Sequence, residues 1–354
     1  MTIHHAATVI SALVLAFFAI PGVAAGEILL PPGFTVQVYV TAEGFDTSER
    51  AARGLPSAST LVVDDTGVLY LARTGRRYSG GEVDDLWPVY RFPAGGARVT
   101  KATERRYLYG PPLPSAQIAG LRGGRDLLVS TFDRDRKLGV LYMMADGHAE
   151  LLAGGTPPRG TPPLLVQPEG AAADSTGNIY VADRGQDRVL KLDRRGAVVD
   201  AARVELKRPR VLAVGGDGAL WVAGDGAAEA PWQRGPGEIW RVVGDAAPAL
   251  ILRGPVAAGM TLAPSGELFV ADRQNPEIFA VSADGRRTSF AKFTDGDAPR
   301  GLAFAPITPE TERAGIAGSL FVIAISRGAW PVNEILKISG PFERFLRESA
   351  APAR

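Results

Sequence analysis

Three side chains that could bind a ligand share one local sequence context. Glu169, Arg210 and Arg300 each follow a proline directly, and a short segment rich in small and apolar residues begins there in all three cases. Two guanidinium groups and one carboxylate at equivalent positions would leave an excess of positive charge in a partly enclosed site, where charges interact more strongly than on an open surface. This pattern predicts the binding of an anion such as a carboxylate in preference to a metal cation.

Further arginine and tryptophan residues follow or join the strand-like segments of the chain. Both residue types bind planar or anionic ligands, through stacking, cation–π contacts and bidentate hydrogen bonds. They are also common anchors of protein or peptide partners. A structural role stays open, in which each tryptophan covers a neighbouring element and each arginine pairs with an aspartate. The predicted ligand-binding set is Glu169, Arg210, Arg300, Arg73, Arg184, Arg273, Arg327, Trp87, Trp232 and Trp330.

Carboxylates offer an alternative, metal-binding interpretation. Glu169, Asp183 and Asp272 could contribute to a Ca²⁺ site, because a hard cation needs several converging oxygens. Two arginines beside one carboxylate make a poor cation cage, and Asp183 and Asp272 end strand-like segments, where aspartate commonly bonds backbone groups. We therefore expect no metal and no cofactor, with Ca²⁺ as the alternative.

The composition limits covalent chemistry. The chain of 354 residues has no cysteine, which excludes thiol nucleophiles, thiolate zinc sites, Fe–S clusters and covalent c-type haem. Apart from His4 and His5, its one histidine is His148 in MMADGHAE, which we expect at a solvated hairpin tip. The sequence shows no motif of a catalytic triad or a phosphate-binding loop, so the motifs favour binding over catalysis.

Six copies of one pattern must position these side chains. In each copy a small-residue strand leads through a turn into an apolar strand, and a second apolar strand follows. The turn glycines recur about every 40 to 57 residues, which is typical of propeller blades. The sequence therefore predicts an all-β, six-bladed β-propeller of four-stranded antiparallel blades, with Trp221 and Trp240 in strands. The six copies contain GVLYLAR (67–73), RDLLVST (125–131), GNIYVAD (177–183), GALWVAGD (218–225), GELFVAD (266–272) and GSLFVIA (318–324).

The third copy, PEGAAADSTGNIYVADRGQDRVLKLD, resembles the NHL repeat in its Pro-x-Gly start, Asp-x-x-Gly-Asn turn and Tyr-Val-Ala-Asp strand. The resemblance covers about residues 55–340. More loosely, the chain is similar to the gluconolactonase/SMP-30-like group of six-bladed propellers. These resemblances imply the fold, and the function has to be argued from the site, because one fold hosts many sites.

The segments LPPGFTVQVYV, RGLAF and SLFVIAISRGAW also look like secreted PQQ-dependent sorbosone or glucose dehydrogenases. That resemblance implies PQQ and a histidine general base on an inner loop, but the matching region STFDRDRKLG has no histidine. Gluconolactonase-like propellers hold a divalent cation through carboxylate and asparagine side chains, whereas one carboxylate follows the prolines here. A sugar-oxidising or lactone-hydrolysing enzyme, with PQQ or Ca²⁺, is therefore the alternative function.

The two ends of the chain are expected to have separate roles. Residues 34–40, FTVQVYV, alternate in polarity and precede the first blade, so we predict that they supply the outer strand of the sixth blade and close the ring. Residues 1–25 are predicted to be a signal peptide, from their apolar run and a Val-Ala-Ala site, although an uncleaved anchor stays open because the start lacks Lys and Arg. The predicted organisation is a signal peptide (1–25), an N-terminal segment (26–54), a propeller (55–345) and a C-terminal tail (346–354).

The net charge of the chain limits the classes of molecule that it is expected to bind. Lys and Arg number 39 against 38 Asp and Glu, so no overall field attracts nucleic acid or an anionic membrane. We expect a periplasmic or secreted, monomeric binding or scaffold module, without a membrane span after signal cleavage. Its partner is expected to be a small anionic or sugar-like molecule, or a protein or peptide, held at the arginine- and tryptophan-rich loop face of the propeller axis.

Overall fold

The described part of the chain consists almost entirely of β-strands. The computed structural model describes residues 28–42, 45–47, 50–52, 55, 58–73, 86–100, 102–114, 116–133, 135–228, 233–254, 256–294, 296–326 and 333–350. The predicted signal peptide, residues 1–25, lies outside the described residues.

Four strands precede the repeats, and six sheets follow them. The first strands are β1 (Ile28–Leu29), β2 (Thr35–Ala42), β3 (Phe45–Thr47) and β4 (Arg50–Ala52), of which β3 and β4 form a hairpin. Blade one contains β5 (Ala58–Val63), β6 (Leu69–Arg73), β7 (Leu86–Phe92) and β9 (Leu108–Pro114), with β8 (Ala97–Val99) inserted before β9. Blade two contains β10 (Gln117–Arg122), β11 (Asp126–Asp133), β12 (Leu138–Ala145) and β13 (His148–Gly154).

The remaining blades repeat this antiparallel order. Blade three contains β14 (Pro168–Ala173), β15 (Ile179–Asp183), β16 (Arg188–Leu192) and β17 (Val198–Glu205). Blade four contains β18 (Pro209–Val214), β19 (Leu220–Gly224), β20 (Gly237–Val242) and β21 (Ala249–Gly254). Blade five contains β22 (Ala257–Leu262), β23 (Leu268–Asp272), β24 (Glu277–Val281) and β25 (Arg287–Phe293). Blade six contains β26 (Asp297–Phe304), β27 (Leu320–Ser326) and β28 (Asn333–Ser339), with helix α1 (Pro309–Arg313) between β26 and β27.

The first strands of the six blades surround a common axis. β5, β10, β14, β18, β22 and β26 each contact the next in this order, and β26 contacts β5. Neighbouring backbones approach closely: a Cβ atom on Gly170 would lie 2.4 Å from the carbonyl oxygen of Arg210, and one on Gly259 would lie 2.3 Å from that of Arg300. The small residues of the inner strands are therefore required by crowding at the axis. The predicted six-bladed β-propeller is confirmed.

The ring is closed by the N-terminal segment, as the sequence predicted for residues 34–40. β2 pairs antiparallel with β28, with Thr35 opposite Ser339 and Val40 opposite Ile335. Asn333 adds a second link, because its side chain donates a hydrogen bond of 2.7 Å to the carbonyl oxygen of Leu55. Blade six thus takes its fourth strand from the other end of the chain.

Two short strands extend this closure beyond what the sequence pattern predicted. β8 pairs in parallel with β2, and β1 pairs antiparallel with β25 of blade five. Both additions cover outer edges that would otherwise present unpaired backbone groups.

Each pair of neighbouring blades is separated by a hydrophobic cluster. Leu71, Tyr90 and Phe321 belong to the cluster where blades one and six meet, and all three side chains are fully buried. The tryptophans expected in strands, Trp221 in β19 and Trp240 in β20, are buried and partly buried respectively. The core is therefore a circle of similar interfaces, and each blade depends on both of its neighbours.

A C-terminal helix, α2 (Phe342–Ala350), packs against blades five and six. The ring of Phe342 contacts those of Phe304, Phe290 and Phe34 at centroid distances of 4.8 to 5.3 Å. The predicted boundary between propeller and tail at residue 345 lies inside this helix. Neither α1 nor α2 is long and apolar enough to cross a membrane, and these are the α-helices among the described residues.

The closing strand provides a test of the ring. Val40→Asp should lower the free energy of unfolding by more than about 3 kcal/mol, because Val40 is fully buried and the carboxylate would have no partner there. Val38→Asp is the matched control, since Val38 lies on the same strand with 48% of its surface exposed, and it should cost less than about 0.5 kcal/mol. Urea denaturation measures both free energies of unfolding. Equal losses in the two variants would contradict the conclusion that the buried side of β2 holds the ring closed.

Candidate functional site

A cavity of about 490 Å³ follows the propeller axis and is lined mainly by the six inner strands. One end of it, which we call the mouth, lies where the inner strands begin. Pro168 and Pro209 stand at this end, opposite Asp183 and Gly224, which end the second strands of their blades. The loops that lead into the inner strands meet here, as expected for a propeller.

A recurring β-bulge places side chains at the mouth. In β18 the pairing with β19 passes from Pro209 to Val211, so Arg210 is the extra residue. Comparable irregularities between Pro168 and Ala171 in β14 and between Pro299 and Leu302 in β26 contain Glu169 and Arg300. A bulge interrupts the alternation of a strand and redirects a side chain. Glu169, Arg210 and Arg300 consequently all line the same cavity.

The best-defined part of the mouth is an ion-pair network between blades three and four. Arg210 Nε lies 3.0 and 2.9 Å from the two carboxylate oxygens of Asp225. Arg184 Nη2 lies 3.3 Å from Asp225 Oδ2, and Arg184 Nη1 lies 3.8 Å from Glu169 Oε1. Asp225 is 1% exposed, so its charge is compensated almost entirely by these two arginines.

Glu169 makes the longer of the two ion-pair contacts of Arg184. Its Oε1 accepts a hydrogen bond of 2.8 Å from the side chain of Gln167. Burial raises the pKa of Glu169 above its ordinary value, and Asp225 adds to the rise, whereas Arg210, Arg184 and the Gln167 hydrogen bond oppose it. The neutral form of Glu169 is therefore favoured relative to an exposed glutamate.

Two of the arginines also connect neighbouring blades. Arg210 donates hydrogen bonds to the carbonyl oxygens of Ala257 and Ala258 in blade five. Arg300 in blade six donates one of 2.9 Å to the carbonyl oxygen of Ala58 in blade one. Arg210 and Arg300 therefore connect neighbouring blades as well as lining the cavity.

The structure brings together some of the predicted ligand-binding residues and not others. Arg184 joins Glu169, Arg210 and Arg300 along the cavity, whereas Arg273, in the turn after β23, is not among the residues that line it. Arg73 lies in β6 and Trp87 in β7, and for these two residues the backbone alone is described. The remaining predicted residues lie outside the described residues: Trp232, Arg327 and Trp330.

Asp183 and Asp272, the other members of the alternative metal site, bond their own surroundings. Asp183 accepts hydrogen bonds from the backbone N–H groups of Val166, Gln167 and Gly185 and is fully buried. Asp272 accepts hydrogen bonds from the backbone of Gln274 and Asn275. Within the described ranges no group of three or more His, Cys, Asp and Glu residues has an arrangement that could hold a metal ion. The donor set does not fit Ca²⁺.

Sequence reasoning gave no weight to two neutral residues of the site. Gln167 and Phe132 both line the cavity, Gln167 from the loop before β14 and Phe132 from β11. Gln167 lies two residues before Glu169, so the loop into the inner strand was the available signal. Phe132 is followed by charged residues in a copy whose repeat pattern is weak, and its position could not be read from the pattern.

His148 lies far from the mouth along its blade. It is exposed at the start of β13, in the tight turn that pairs it with Ala145. The mouth end of the same sheet is at Phe132 and Asp133, which pair with the opposite end of β12. His148 is therefore placed on the opposite face from Glu169.

Comparisons with known proteins show similarity of fold. No family model matches the chain, and no curated protein matches it. Among solved structures it is similar to an auxiliary nutrient binding protein from Bacteroides thetaiotaomicron, with a TM-score of 0.56, 12% identity, and 89% of this chain and 76% of that one covered. It is also similar to a gluconolactonase from Xanthomonas campestris, with a TM-score of 0.54, 12% identity, and 90% of this chain and 99% of that one covered. For the soluble aldose sugar dehydrogenase from Escherichia coli the TM-score is 0.52 and the identity 15%, with 87% of this chain and 100% of that one covered.

The expected similarity to gluconolactonase and sugar dehydrogenase propellers is thus confirmed for the fold. At these identities the comparison says nothing about the chemistry of the site. The NHL character of the repeats stays a prediction.

The state of Glu169 can be tested through the pH dependence of stability. Because its pKa is raised in the folded protein, Glu169 binds its proton more tightly there than in the unfolded chain, and its contribution to stability falls as pH rises through that pKa. Glu169→Gln removes this dependence. The free energy of unfolding of the variant relative to the wild type should therefore increase as the pH rises from about 4 to about 8. Urea denaturation at both pH values measures the difference, with the exposed Glu150→Gln as control. A variant that loses stability at the higher pH would show that the arginines hold Glu169 as a carboxylate.

The exposed histidine gives a second test. His148→Ala should change the free energy of unfolding by less than about 0.5 kcal/mol and leave ligand binding unchanged, because the side chain is exposed on the face opposite the mouth. Thermal denaturation and titration with a carboxylate measure the two effects. Loss of an activity in this variant would restore the idea of a general base.

Proposed function

We propose that the chain is an exported binding protein that holds a small organic anion, in the first instance a carboxylate, in the axial mouth of its propeller. The observation that carries the proposal is the charge balance there. Arg184, Arg210 and Arg300 line the cavity, and the carboxylates beside them are Glu169 and Asp225. Among the described residues that line the cavity or form ion pairs with Arg184 and Arg210, three positive charges stand against two negative ones, and the excess of one rises to two when Glu169 is protonated.

The position of these charges favours a small ligand over a protein partner. The side chains of Arg184 and Arg210 are 11% and 10% exposed, so their guanidinium groups face the cavity and not an outer surface. A cavity of about 490 Å³ has the size usual for small-molecule sites. Planar guanidinium groups with several N–H donors are suited to carboxylates, which accept two hydrogen bonds side by side.

The enzyme alternatives receive less support from the described residues. A calcium-dependent lactonase needs converging oxygen ligands, whereas the described part of the mouth combines two carboxylates with three guanidinium groups, and Asp225 is already paired with two of them. A sugar dehydrogenase of the PQQ type would need a base near its substrate, and His148 is on the opposite face. The solved structures of similar fold include a nutrient binding protein as well as enzymes, so the fold itself is compatible with both. Export is supported by the apolar run and Val-Ala-Ala site within residues 1–25.

A titration with carboxylates tests the proposal. In isothermal calorimetry with acetate, gluconate and octanoate, Arg300→Gln should weaken binding of the carboxylates that bind the wild type by about tenfold to a hundredfold, which is the value of a charge-assisted hydrogen bond. Glutamine keeps an N–H donor on a shorter, uncharged side chain, and the melting temperature of the variant shows whether loss of the bond to the carbonyl oxygen of Ala58 disturbs the fold. Arg313→Gln is the matched control, because Arg313 lies on α1 with 74% of its side chain exposed.

Calcium chloride is the decisive comparison in the same experiment. The proposal predicts that Ca²⁺ does not bind at the mouth and does not raise the melting temperature. Tight Ca²⁺ binding that strengthens in Arg300→Gln would contradict the proposed sign of the site. Absence of binding by every carboxylate would contradict the proposed function.

A further inference from the structure

The end of the axial cavity opposite the mouth is surrounded by hydrophobic side chains. Each inner strand contributes one hydrophobic residue near its C-terminal end, beside the turn into the second strand of the blade. This residue pairs with a buried hydrophobic residue near the start of the second strand, as Ala173 pairs with Ile179. We call these six residues the lower rim. They all line the cavity, and they are Val63, Leu121, Ala173, Val214, Leu262 and Phe304.

Charge is confined to the other end. Of the described residues that line the cavity, those with a charged side chain are Glu169, Arg184, Arg210 and Arg300, and all four are at the mouth. Between mouth and lower rim the lining consists mainly of Ala, Gly, Val, Leu, Ile and Met residues. The hydroxyl of Thr60 in this part already accepts a hydrogen bond of 2.9 Å from the backbone of Ile118. The side chains of the lining therefore change from charged at the mouth to uncharged and mainly apolar along the length of the cavity.

This change in polarity has a consequence for the ligand. An inner strand of six residues spans roughly 16 to 20 Å at about 3.3 Å per residue, so the two ends are too far apart for one small polar group to contact both. A polyhydroxylated acid placed along the axis would bring hydroxyl groups to the lower rim, where the side chains are hydrophobic and only backbone groups could hydrogen-bond them. An alkyl or aromatic chain would instead gain from leaving water there.

We propose that the ligand is an amphipathic monocarboxylate, whose carboxylate binds at the arginine mouth and whose apolar chain extends along the axis towards the lower rim. This inference rests on the proposed function and adds the substrate class. The headgroup is recognised by charge and the chain by burial, so the two contributions to affinity are separable.

A chain-length series measures the second contribution in the wild type. Calorimetric affinity should rise from butanoate through hexanoate and octanoate to decanoate, by up to about fourfold per added methylene, which corresponds to about 0.8 kcal/mol per buried CH₂. Gluconate should bind more weakly than octanoate. Octanol, which has the chain without the charge, should bind at least about tenfold more weakly than octanoate.

Two variants assign the contributions to the two ends. Arg300→Gln should weaken all four alkanoates by a similar factor and leave the dependence on chain length unchanged. Val214→Thr replaces a methyl group of the lower rim by a hydroxyl group of similar size, and it should reduce the gain from hexanoate to decanoate while butanoate affinity stays the same. Ala173→Ser is the second lower-rim variant if Val214→Thr does not fold, as checked by its melting temperature.

The outcomes separate this inference from the proposed function. Binding of gluconate and acetate together with alkanoates of constant affinity would overturn the amphipathic ligand and leave anion binding in place. Equal binding of octanol and octanoate would show that the mouth does not recognise the charge, and would overturn both. Failure of all carboxylates to bind would also overturn both.

Discussion

The pairing of β2 with β28 is the contact on which the rest of the structure depends. Glu169, Arg210 and Arg300 are far apart in sequence, and they face one cavity because six inner strands are held around one axis. Each blade packs against two neighbours, so a missing strand in blade six would expose the edge of β28 and loosen the contacts of blades five and one. Asn333 strengthens the same place, because it joins β28 to Leu55 just before blade one.

Within this ring, side chains of the mouth to which we assign ligand binding also have structural roles. Arg210 neutralises Asp225, which is almost completely buried, and it also bonds two carbonyl oxygens of blade five. Removing one partner of such a buried pair costs far more than the pair contributes, because an uncompensated charge stays behind. Arg300 donates to the neutral carbonyl oxygen of Ala58 in the next blade, and replacing it leaves the pair of Arg210 and Asp225 in place. The proposed binding can therefore be altered through Arg300 without leaving the buried carboxylate of Asp225 short of one arginine.

The sequence predicted the repeat and its closure because both depend on local patterns. A turn glycine, a run of apolar residues and an alternating strand such as 34–40 are visible in single segments. β1 and β8 were missed because strands of two and three residues have no periodicity to detect. The partners at the mouth were predictable only in part: the proline before Glu169 and Arg210 indicated equivalent positions, but the pairing of Arg210 with Asp225 depends on how two loops meet in space. Asp225 also departs from the repeat. It comes one residue after the position of Asp183 in blade three and Asp272 in blade five, where blade four has Gly224.

The two ends of the cavity are constrained in different ways by the fold. The lower-rim residues also fill the space between blades, as Val214 does beside Leu212 and Val222, so folding alone requires them to be apolar. Folding does not fix the residue type in the bulges at the mouth in the same way. The corresponding position is Ser59 in blade one and Ala258 in blade five. Hydrophobic contact with the lower rim is non-directional and discriminates weakly between chains of similar size. Hydrogen bonds from guanidinium groups are directional. In the proposed binding mode, recognition of the carboxylate therefore rests on the bulge residues, whereas the lower rim would supply affinity for an apolar chain through side chains that the propeller needs in any case.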